Sequence, residues 1–360
     1  MSMIKKLQLT GSPRQIGEMH GSQGKEEVIQ SLETYESLFY GYSQINWKDA
    51  REIALEHLPA IESYNPDFIE EMEGVANGAA VDFEDILVLN TRSEIALTGR
   101  NIFSDGCTAI AVTPPTSMDT IIGQNWDWKI AQTKSLLLLE IEQENKPSIK
   151  MITEGGIIGK IGFNSAGIGV CLNALLTNRK SNQIPIHLGL RSVLNSYTLH
   201  EAVAKINHGQ MASAANFLVA SHEGEGQAMA ANIEVSPFGI DFSANPEGMV
   251  VHTNHICSAA LKKHLTDMNE FIFEDSMIRK SRAEQLIYSK VRAKEMIDEQ
   301  CFKAWLSDRF NYPNSINSHV NIGAPEHRQM ETVFSIIMNL SKQEMLLCVG
   351  KPTVDNYLAV

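Results

Sequence analysis

SDGCTAIAV, residues 104–112, places Cys107 between a tight Asp-Gly pair and an apolar run that is typical of a β-strand. A thiol at this point can attack the carbonyl carbon of the preceding residue through a five-membered ring if the backbone is bent. Gly106 permits such a bend because it has no Cβ. Hydrolysis of that bond would leave Cys107 as a new N-terminus, whose amine (pKa about 7.7–8.0) could act as a general base for its own thiol. The stretch therefore predicts a self-processing thiol nucleophile.

The hydrophobic periodicity changes at this stretch. Before it, apolar residues recur at helical spacing at residues 26–42, 49–63, 66–80 and 83–97. The first hundred residues are therefore predicted to be helical. After it, short apolar runs predict consecutive strands over 107–175 and a hairpin over 216–234. Helices are predicted at 191–207 and 275–307, and a strand pair at 331–350, so the sequence predicts an α+β layered domain.

The composition is that of a globular protein of 360 residues, with 43% hydrophobic and 20% charged residues. A net charge of −13 argues against a nucleic-acid-binding protein, which needs basic surface. The N-terminus has no apolar segment typical of a secretory signal, and no run reaches the roughly 18 apolar residues that a membrane span needs. We therefore expect a cytoplasmic protein that contacts neither nucleic acid nor membrane.

The five cysteines are odd in number, far apart and without a C-x-x-C pair, so we expect reduced thiols rather than disulfides. HTNH at 252–255 spaces two histidines three apart, but no Glu or Cys pattern completes a zinc site. GGIIGKIG at 155–162 does not match a phosphate-binding loop. The sequence predicts no metal and no cofactor.

Five motifs follow one another along the chain: DGCTAIAV (105–112), GQNWDW (123–128), NSAGIGVCLNAL (164–175), VHTNH (251–255), and ETVFSIIMNL with CVGKP (331–352). Together they resemble the acyl-coenzyme A:6-aminopenicillanic acid acyltransferase family. Its members are self-processing cysteine peptidases among the N-terminal-nucleophile (Ntn) hydrolases and distant relatives of choloylglycine hydrolases. GEMHG (17–21) and residues 68–94 resemble the helical leader of that family, so the resemblance covers nearly the whole chain.

The resemblance implies a four-layer αββα sandwich forming a single Ntn-hydrolase domain over 1–360. Residues 1–106 would be the helical leader, released as an α chain by cleavage between Gly106 and Cys107. Residues 107–360 would be the β chain, which begins with the nucleophile.

The resemblance also implies a role for each of four residues. Cys107 is the nucleophile, and Asp127 hydrogen-bonds its amino end. Asn254 stabilises the oxyanion, and Arg328 aligns with an arginine near the active site whose charge would favour a thiolate. Taken singly, Asp127 would be interpreted as a buried structural carboxylate and Asn254 as a turn residue. Because both follow the Gly-Cys step in the family's order, the catalytic interpretation is favoured.

Three further residues are predicted to bind substrate: Asn173, Trp126 and His327. The penicillin-forming member of the family has a serine immediately before the arginine, where this chain has His327. The difference concerns the specificity for acyl group and amine and leaves the nucleophile unchanged.

The leading hypothesis is a self-processing amidohydrolase that cleaves small linear amides through a cysteine acyl-enzyme. One alternative is an acyltransferase that moves an acyl group from acyl-CoA or an acyl-amide to an amine such as 6-aminopenicillanate. A charge of −13 does not attract anionic acyl-CoA, which favours hydrolysis. Two others are an unprocessed hydrolase that pairs Cys107 with His252 or His255, and an inactive binding protein on the same scaffold. A homodimer is the default assembly.

Overall fold

The computed structural model describes residues 4–98, 106–207, 210–224, 226–268, 275–324, 326 and 329–360. Strands within this part of the chain form two sheets. They are β1 (Lys5–Gly11), β2 (Gly106–Val112), β3 (Ile121–Trp128), β4 (Leu136–Gln143), β5 (Ile149–Glu154), β6 (Ile161–Asn164), β7 (Ile168–Ala174), β8 (Ala215–His222), β9 (Ala228–Ser236), β10 (Gly239–Ala244), β11 (Met249–His252), β12 (Glu331–Asn339), β13 (Glu344–Val349) and β14 (Leu358–Ala359). One sheet has the order β1-β4-β5-β6-β7-β8-β9-β10, and the other has the order β11-β2-β3-β12-β13-β14.

The described helices fall into three groups along the chain. They are α1 (Pro13–Gln23), α2 (Lys25–Leu38), α3 (Trp47–Leu55), α4 (Leu58–Tyr64), α5 (Asp67–Ala79), α6 (Phe83–Asn90) and α7 (Arg92–Ala96), then α8 (Ile186–Leu194) and α9 (Leu199–Ile206), then α10 (Asp275–Ala293) and α11 (Glu299–Leu306). None of the helices in the described ranges is long and apolar enough to cross a membrane.

The two sheets pack face to face between helices. Strands β2 and β3 of the six-stranded sheet contact β7 of the eight-stranded sheet. Helix α8 packs on the other face of the eight-stranded sheet, and α10 and α11 cover the other face of the six-stranded sheet. Adjacent residues of β3 show the alternation directly. Ile122 faces Gly169 of β7, whereas Gly123 faces Phe302 of α11. The predicted four-layer αββα arrangement is confirmed.

Glycines allow α1 and α5 to pack with their backbones in contact. A Cβ on Gly17 would lie 2.0 Å from the carbonyl oxygen of Glu71, and a Cβ on Gly74 would lie 2.3 Å from that of Arg14. Only glycine fits at these two positions, since no larger side chain permits such an approach. The glycines of the leader motif GEMHG and of residues 68–94 are thus explained by helix packing.

The expectation that the first hundred residues are helical is wrong at the N-terminus. Residues Lys5–Gly11 form β1, which pairs in parallel with β4 and buries Leu7 and Leu9. Three predicted helices are each divided in the structure. Residues 49–63 form α3 and α4, with Pro59 in the first turn of α4. Residues 83–97 form α6 and α7, and residues 191–207 belong to α8 and α9. The predicted strands over 107–175, the hairpin and the closing strand pair are confirmed.

A buried ionic cluster joins the leader helices to the strands. Glu154 accepts hydrogen bonds from Lys160 and from the Tyr35 hydroxyl (2.5 Å), and Arg92 lies 3.5 Å from it. Burial alone raises the pKa of Glu154, but Lys160 and Arg92 outweigh it and lower the pKa to about 2. The Lys160 ammonium also lies 3.5 Å from the centre of the Trp126 ring. The cluster therefore contacts β3 through the side chain of Trp126.

We predict that Lys160→Met lowers the free energy of unfolding by about 3 kcal/mol, because it leaves a buried carboxylate with a single cationic neighbour. The stabilisation from ionised Glu154 is fully present above about pH 4.5 and is lost as the pH falls towards 2, because its pKa is depressed in the folded state. Urea unfolding at several pH values measures both effects. Lys48→Met, in the exposed pair with Glu52, is the control and should cost under about 0.5 kcal/mol. Equal losses in the two variants would contradict the assignment.

Candidate active site

The strand pair β2–β3 presents the predicted nucleophile and its neighbours in one row. Gly106 lies directly opposite Asp127, and Cys107 lies directly opposite Trp126. Cys107 is fully buried. A Cβ on Gly106 would lie 3.2 Å from the Asp127 Cβ, which is tighter than an ordinary contact. The absence of a side chain at Gly106 therefore lets the aspartate lie against the Gly106–Cys107 step.

Asn254 meets the backbone of Cys107 from a separate segment. Its Oδ1 accepts the Cys107 N–H at 2.8 Å, and its Nδ2 donates to the Ala174 carbonyl at 3.1 Å. Oδ1 also accepts from the Arg279 guanidinium at 3.0 Å, so donors on one side and an acceptor on the other fix the orientation of the amide. The nitrogen of the Gly106–Cys107 bond is thus held by a side-chain oxygen.

Arg279 is the residue that the sequence analysis missed. It is only 4% exposed, and it donates to the Cys107 carbonyl (2.5 Å), the Thr108 hydroxyl (3.0 Å) and Asn254 Oδ1 (3.0 Å). Asp275, one turn earlier in α10, bonds its Nε at 2.7 Å. Burial alone lowers the pKa of Arg279, but Asp275 and Asp127 raise it above the usual value. The spacing of Asp275 and Arg279 in a predicted helix was the one available signal, and it indicates only an ion pair.

The arginine that the sequence favoured, Arg328, and its neighbour His327 both lie outside the described residues. Arg279 supplies a buried cation beside Cys107, and the prediction for Arg328 stays a prediction.

Asp127 and Asn173 are both buried close to this point. Asp127 Oδ1 accepts from the Thr332 hydroxyl at 2.7 Å. Asn173 Nδ2 donates to the His252 carbonyl at 3.3 Å, and its Oδ1 accepts from Asn216 at 3.1 Å. Asn173 directly precedes Ala174, the residue that bonds Asn254. Strands β3, β7 and β11 therefore bring their polar groups to the beginning of β2.

Trp126 is fully buried, with its ring between Phe334, Trp128 and the Lys160 ammonium. Its environment is the packed interior between β3 and the ionic cluster. Its predicted contact with substrate stays a prediction.

The two histidines of HTNH bond to groups other than those of the Gly106–Cys107 step. His252 faces the Thr253 carbonyl through Nδ1 (2.9 Å) and Glu234 through Nε2 (2.8 Å). His255 Nδ1 bonds the Ser276 hydroxyl at 2.8 Å, and its Nε2 lies 3.7 Å from Cys257 Sγ. Neither arrangement favours the hypothesis that one of these rings is the base for Cys107.

Three potential metal donors, Glu234, His252 and Cys257, have atoms within 4.8 Å of one another. Both nitrogens of His252 face oxygen acceptors, so the ring carries two protons and offers no lone pair to a cation. The group does not fit a metal site in this state.

Two sheets packed between layers of helices define the class of fold as a four-layer α+β sandwich, and Cys107 lies near the start of its strand β2. The family profile described as acyl-coenzyme A:6-aminopenicillanic acid acyl-transferase matches residues 115–353. The chain belongs to this family, and it is an enzyme.

A relative described as the 40 kDa form of acyl-coenzyme A:6-aminopenicillanic-acid-acyltransferase, from Emericella nidulans, is 34% identical over 346 residues. The match covers 95% of this chain and 91% of that protein. Among solved structures, a mutant conjugated bile acid hydrolase from Clostridium perfringens is similar with a TM-score of 0.49 and 12% identity, covering 71% of this chain and 92% of that one. Penicillin V acylase from Agrobacterium tumefaciens is similar with a TM-score of 0.40 and 10% identity, covering 68% and 82%.

We predict that Arg279→Met destabilises the protein by about 3 kcal/mol, because it leaves the partly buried carboxylate of Asp275 and the buried Asn254 Oδ1 without their cationic donor. Arg282→Met, one turn along the same helix, removes the partly exposed bond to Asp308 and should cost about 1 kcal/mol or less. Chemical denaturation of both variants tests the difference. A loss at Arg279 no greater than at Arg282 would show that its buried contacts contribute little.

Proposed function

We propose that the protein cleaves itself between Gly106 and Cys107 and then uses the freed Cys107 to take an acyl group from a small linear amide. The observation that carries this proposal is the bond from the Cys107 N–H to Asn254 Oδ1. It holds the leaving nitrogen of the cleaved bond, and it would hold the same atom when that atom becomes the amine of a new N-terminus.

Self-cleavage would proceed by transfer of the Gly106 acyl group from nitrogen to sulfur, followed by hydrolysis. The Cys107 thiol loses its proton, and Sγ attacks the Gly106 carbonyl carbon. The C–N bond breaks, the Cys107 nitrogen takes a proton, and Gly106 is joined to Sγ as a thioester. Water then hydrolyses the thioester and releases residues 1–106. The missing side chain at Gly106 supports this step, since it lets the backbone approach Asp127 without a clash.

The catalytic cycle would use the same atoms. The new amine of Cys107 accepts the thiol proton, and Sγ attacks the substrate carbonyl to form a tetrahedral intermediate. Our candidates for stabilising the oxyanion are two amides: Asn254, which bonds the Cys107 N–H, and Asn173, which directly precedes the Ala174 that bonds Asn254. One such donor contributes about 2.7–4 kcal/mol to a transition state. Arg279, which bonds the Cys107 carbonyl and Asn254 Oδ1, keeps nucleophile and donor aligned.

A small, mainly apolar cavity beside this site is our candidate for the place of the substrate's acyl group. It is lined by Arg92, Ser93, Ala96, Leu97, Trp128, Ala174, Leu175, Ile186, Ser213 and Ala214. Ala174 joins the cavity to the site, because its carbonyl bonds Asn254. Its volume of about 20 Å³ holds about one water molecule, so the cavity must widen to admit an acyl chain.

We predict that Cys107→Ala yields one uncut 39.9 kDa chain without amidase activity, since the change removes attacker and catalyst together. Cys107→Ser should cut slowly and turn over poorly, because a hydroxyl is a weaker nucleophile than a thiol near neutral pH. Denaturing electrophoresis shows the cut, and N-terminal sequencing of the larger fragment should read Cys-Thr-Ala from Cys107. Cys257→Ser, at a different cysteine, is the control and should cut normally. A start at another residue, or full activity in Cys107→Ala, would refute the mechanism.

The second candidate function is transfer of the acyl group to an amine. It is favoured by the 34% identity to a relative described as an acyltransferase that uses acyl-CoA and 6-aminopenicillanic acid. Hydrolysis and transfer share one acyl-enzyme and differ in whether water or an amine resolves it.

Acyl-amides and acyl-CoA esters, each with and without 6-aminopenicillanate, separate the two functions. We predict that the processed protein releases free acid from simple acyl-amides faster than from acyl-CoA, because the anionic chain repels the CoA phosphates at low salt. Chromatography of the products measures free acid against amide. Amide formation from acyl-CoA as the main product would establish the transferase instead, and the Cys107→Ala protein is the blank.

A further inference from the structure

Cys257 has surroundings that differ from those of the other four cysteines. All five cysteines lie within the described residues, and Cys257 is the exposed one, whereas Cys107, Cys171, Cys301 and Cys348 are buried. Cys257 lies three residues after Asn254, on the segment that follows β11.

A histidine held in its charged form lies beside this thiol. The two ring nitrogens of His252 face the Thr253 carbonyl and the Glu234 carboxylate, so both must donate and the ring is an imidazolium. Glu234 is itself kept ionised, because it also accepts the backbone N–H groups of Cys257 (2.7 Å) and Ser258 (3.1 Å). The carboxylate thus fixes the cation next to Cys257.

The titration behaviour agrees with this geometry. Burial alone raises the pKa of Cys257, but His252 and His255 lower it to about 6. Burial lowers the pKa of His252, and Cys257 and Glu234 outweigh it and raise it to about 9. The buried thiols behave in the opposite way, since burial raises the pKa of Cys171 and Cys348. Near neutral pH the pair is therefore thiolate and imidazolium.

Cys257 opens into a cavity of about 430 Å³, which can hold a small molecule. Its other charged lining residues are Asp241 on β10 and Lys280 and Glu284 on α10, and Lys280 pairs with Glu284. With Glu234, His252 and the thiolate included, the lining carries a net negative charge. Binding of a cationic small molecule in this cavity is therefore favoured over binding of an anionic one.

We propose that Cys257 is a second reactive thiol, held next to the His252–Glu234 pair, which forms mixed disulfides with small amine-bearing disulfides. The thiolate attacks one sulfur of the disulfide, and a new S–S bond forms as the old one breaks. The departing thiolate takes a proton from water. Cys257 is oxidised, and one half of the disulfide is reduced.

The test treats the full chain with cystamine, a disulfide with two amines, and follows intact mass and peptide maps. The expected result is an adduct at Cys257 in the unmutated chain, in Cys107→Ser and in Cys301→Ser, and none at that position in Cys257→Ser. The rate should reach half its maximum at about pH 6, compared with about pH 8.5 for an ordinary thiol. Cystamine should react faster than an anionic aromatic disulfide at low salt.

His252→Gln should raise the pKa of Cys257 and so reduce its thiolate fraction at pH 6. The reaction should slow about tenfold, because this loss of thiolate outweighs the higher nucleophilicity of a thiolate with a higher pKa. The pH profile of the unmutated chain gives the same information if that variant does not fold. An adduct only at Cys107, or a half-maximal rate near pH 8.5, would overturn the proposal. A rate that rises severalfold on adding a chelator would also overturn it, since the three groups would then be holding a metal.

Discussion

The arrangement around the Gly106–Cys107 bond depends on one buried guanidinium. Arg279 bonds the Cys107 carbonyl, and it also bonds the oxygen of Asn254, which receives the Cys107 N–H. A side chain only 4% exposed cannot exchange these partners for water, so a change in any of them leaves a charge or a polar group unsatisfied. Asp275 balances the charge from the same helix. The strand that carries Cys107 and the segment that carries Asn254 are therefore held in one position relative to each other.

The thiols of Cys107 and Cys257 have opposite surroundings. Cys107 lies in a closed interior, with its backbone held at both the amide and the carbonyl. Cys257 is exposed in a polar cavity and faces a histidine that a carboxylate keeps charged. The first arrangement suits a reaction with the chain's own backbone, which needs fixed geometry more than access. The second suits a reaction with a visiting molecule, which needs access and a thiolate.

Most of the fold could be predicted because the elements concerned are decided by local patterns. The strands from Cys107 to residue 174 alternate with turn residues, and the helices before and after them have helical periodicity over many residues. Strand β1 was missed because its partner β4 lies more than a hundred residues away along the chain and pairs in parallel. Leu7 opposite Leu139 therefore leaves no local signal. The division of residues 49–63 was missed because Pro59 is compatible with the first turn of a helix and does not by itself reveal a break.

The sequence by itself predicted Cys107 from a Gly-Cys step before an apolar run, and the family resemblance of two ordered motifs added Asp127 and Asn254; their roles stay predictions. It also indicated the layered α+β class. Only the tertiary structure identified Arg279, whose donors reach groups on β2 and on the segment after β11, two places that no spacing connects. It alone distinguished Cys257 as well, since the state of that thiol depends on a carboxylate from β9 that charges a histidine from β11. The protonation state of a group depends on its distance from other charges and on its burial, and the order of residues along the chain gives neither.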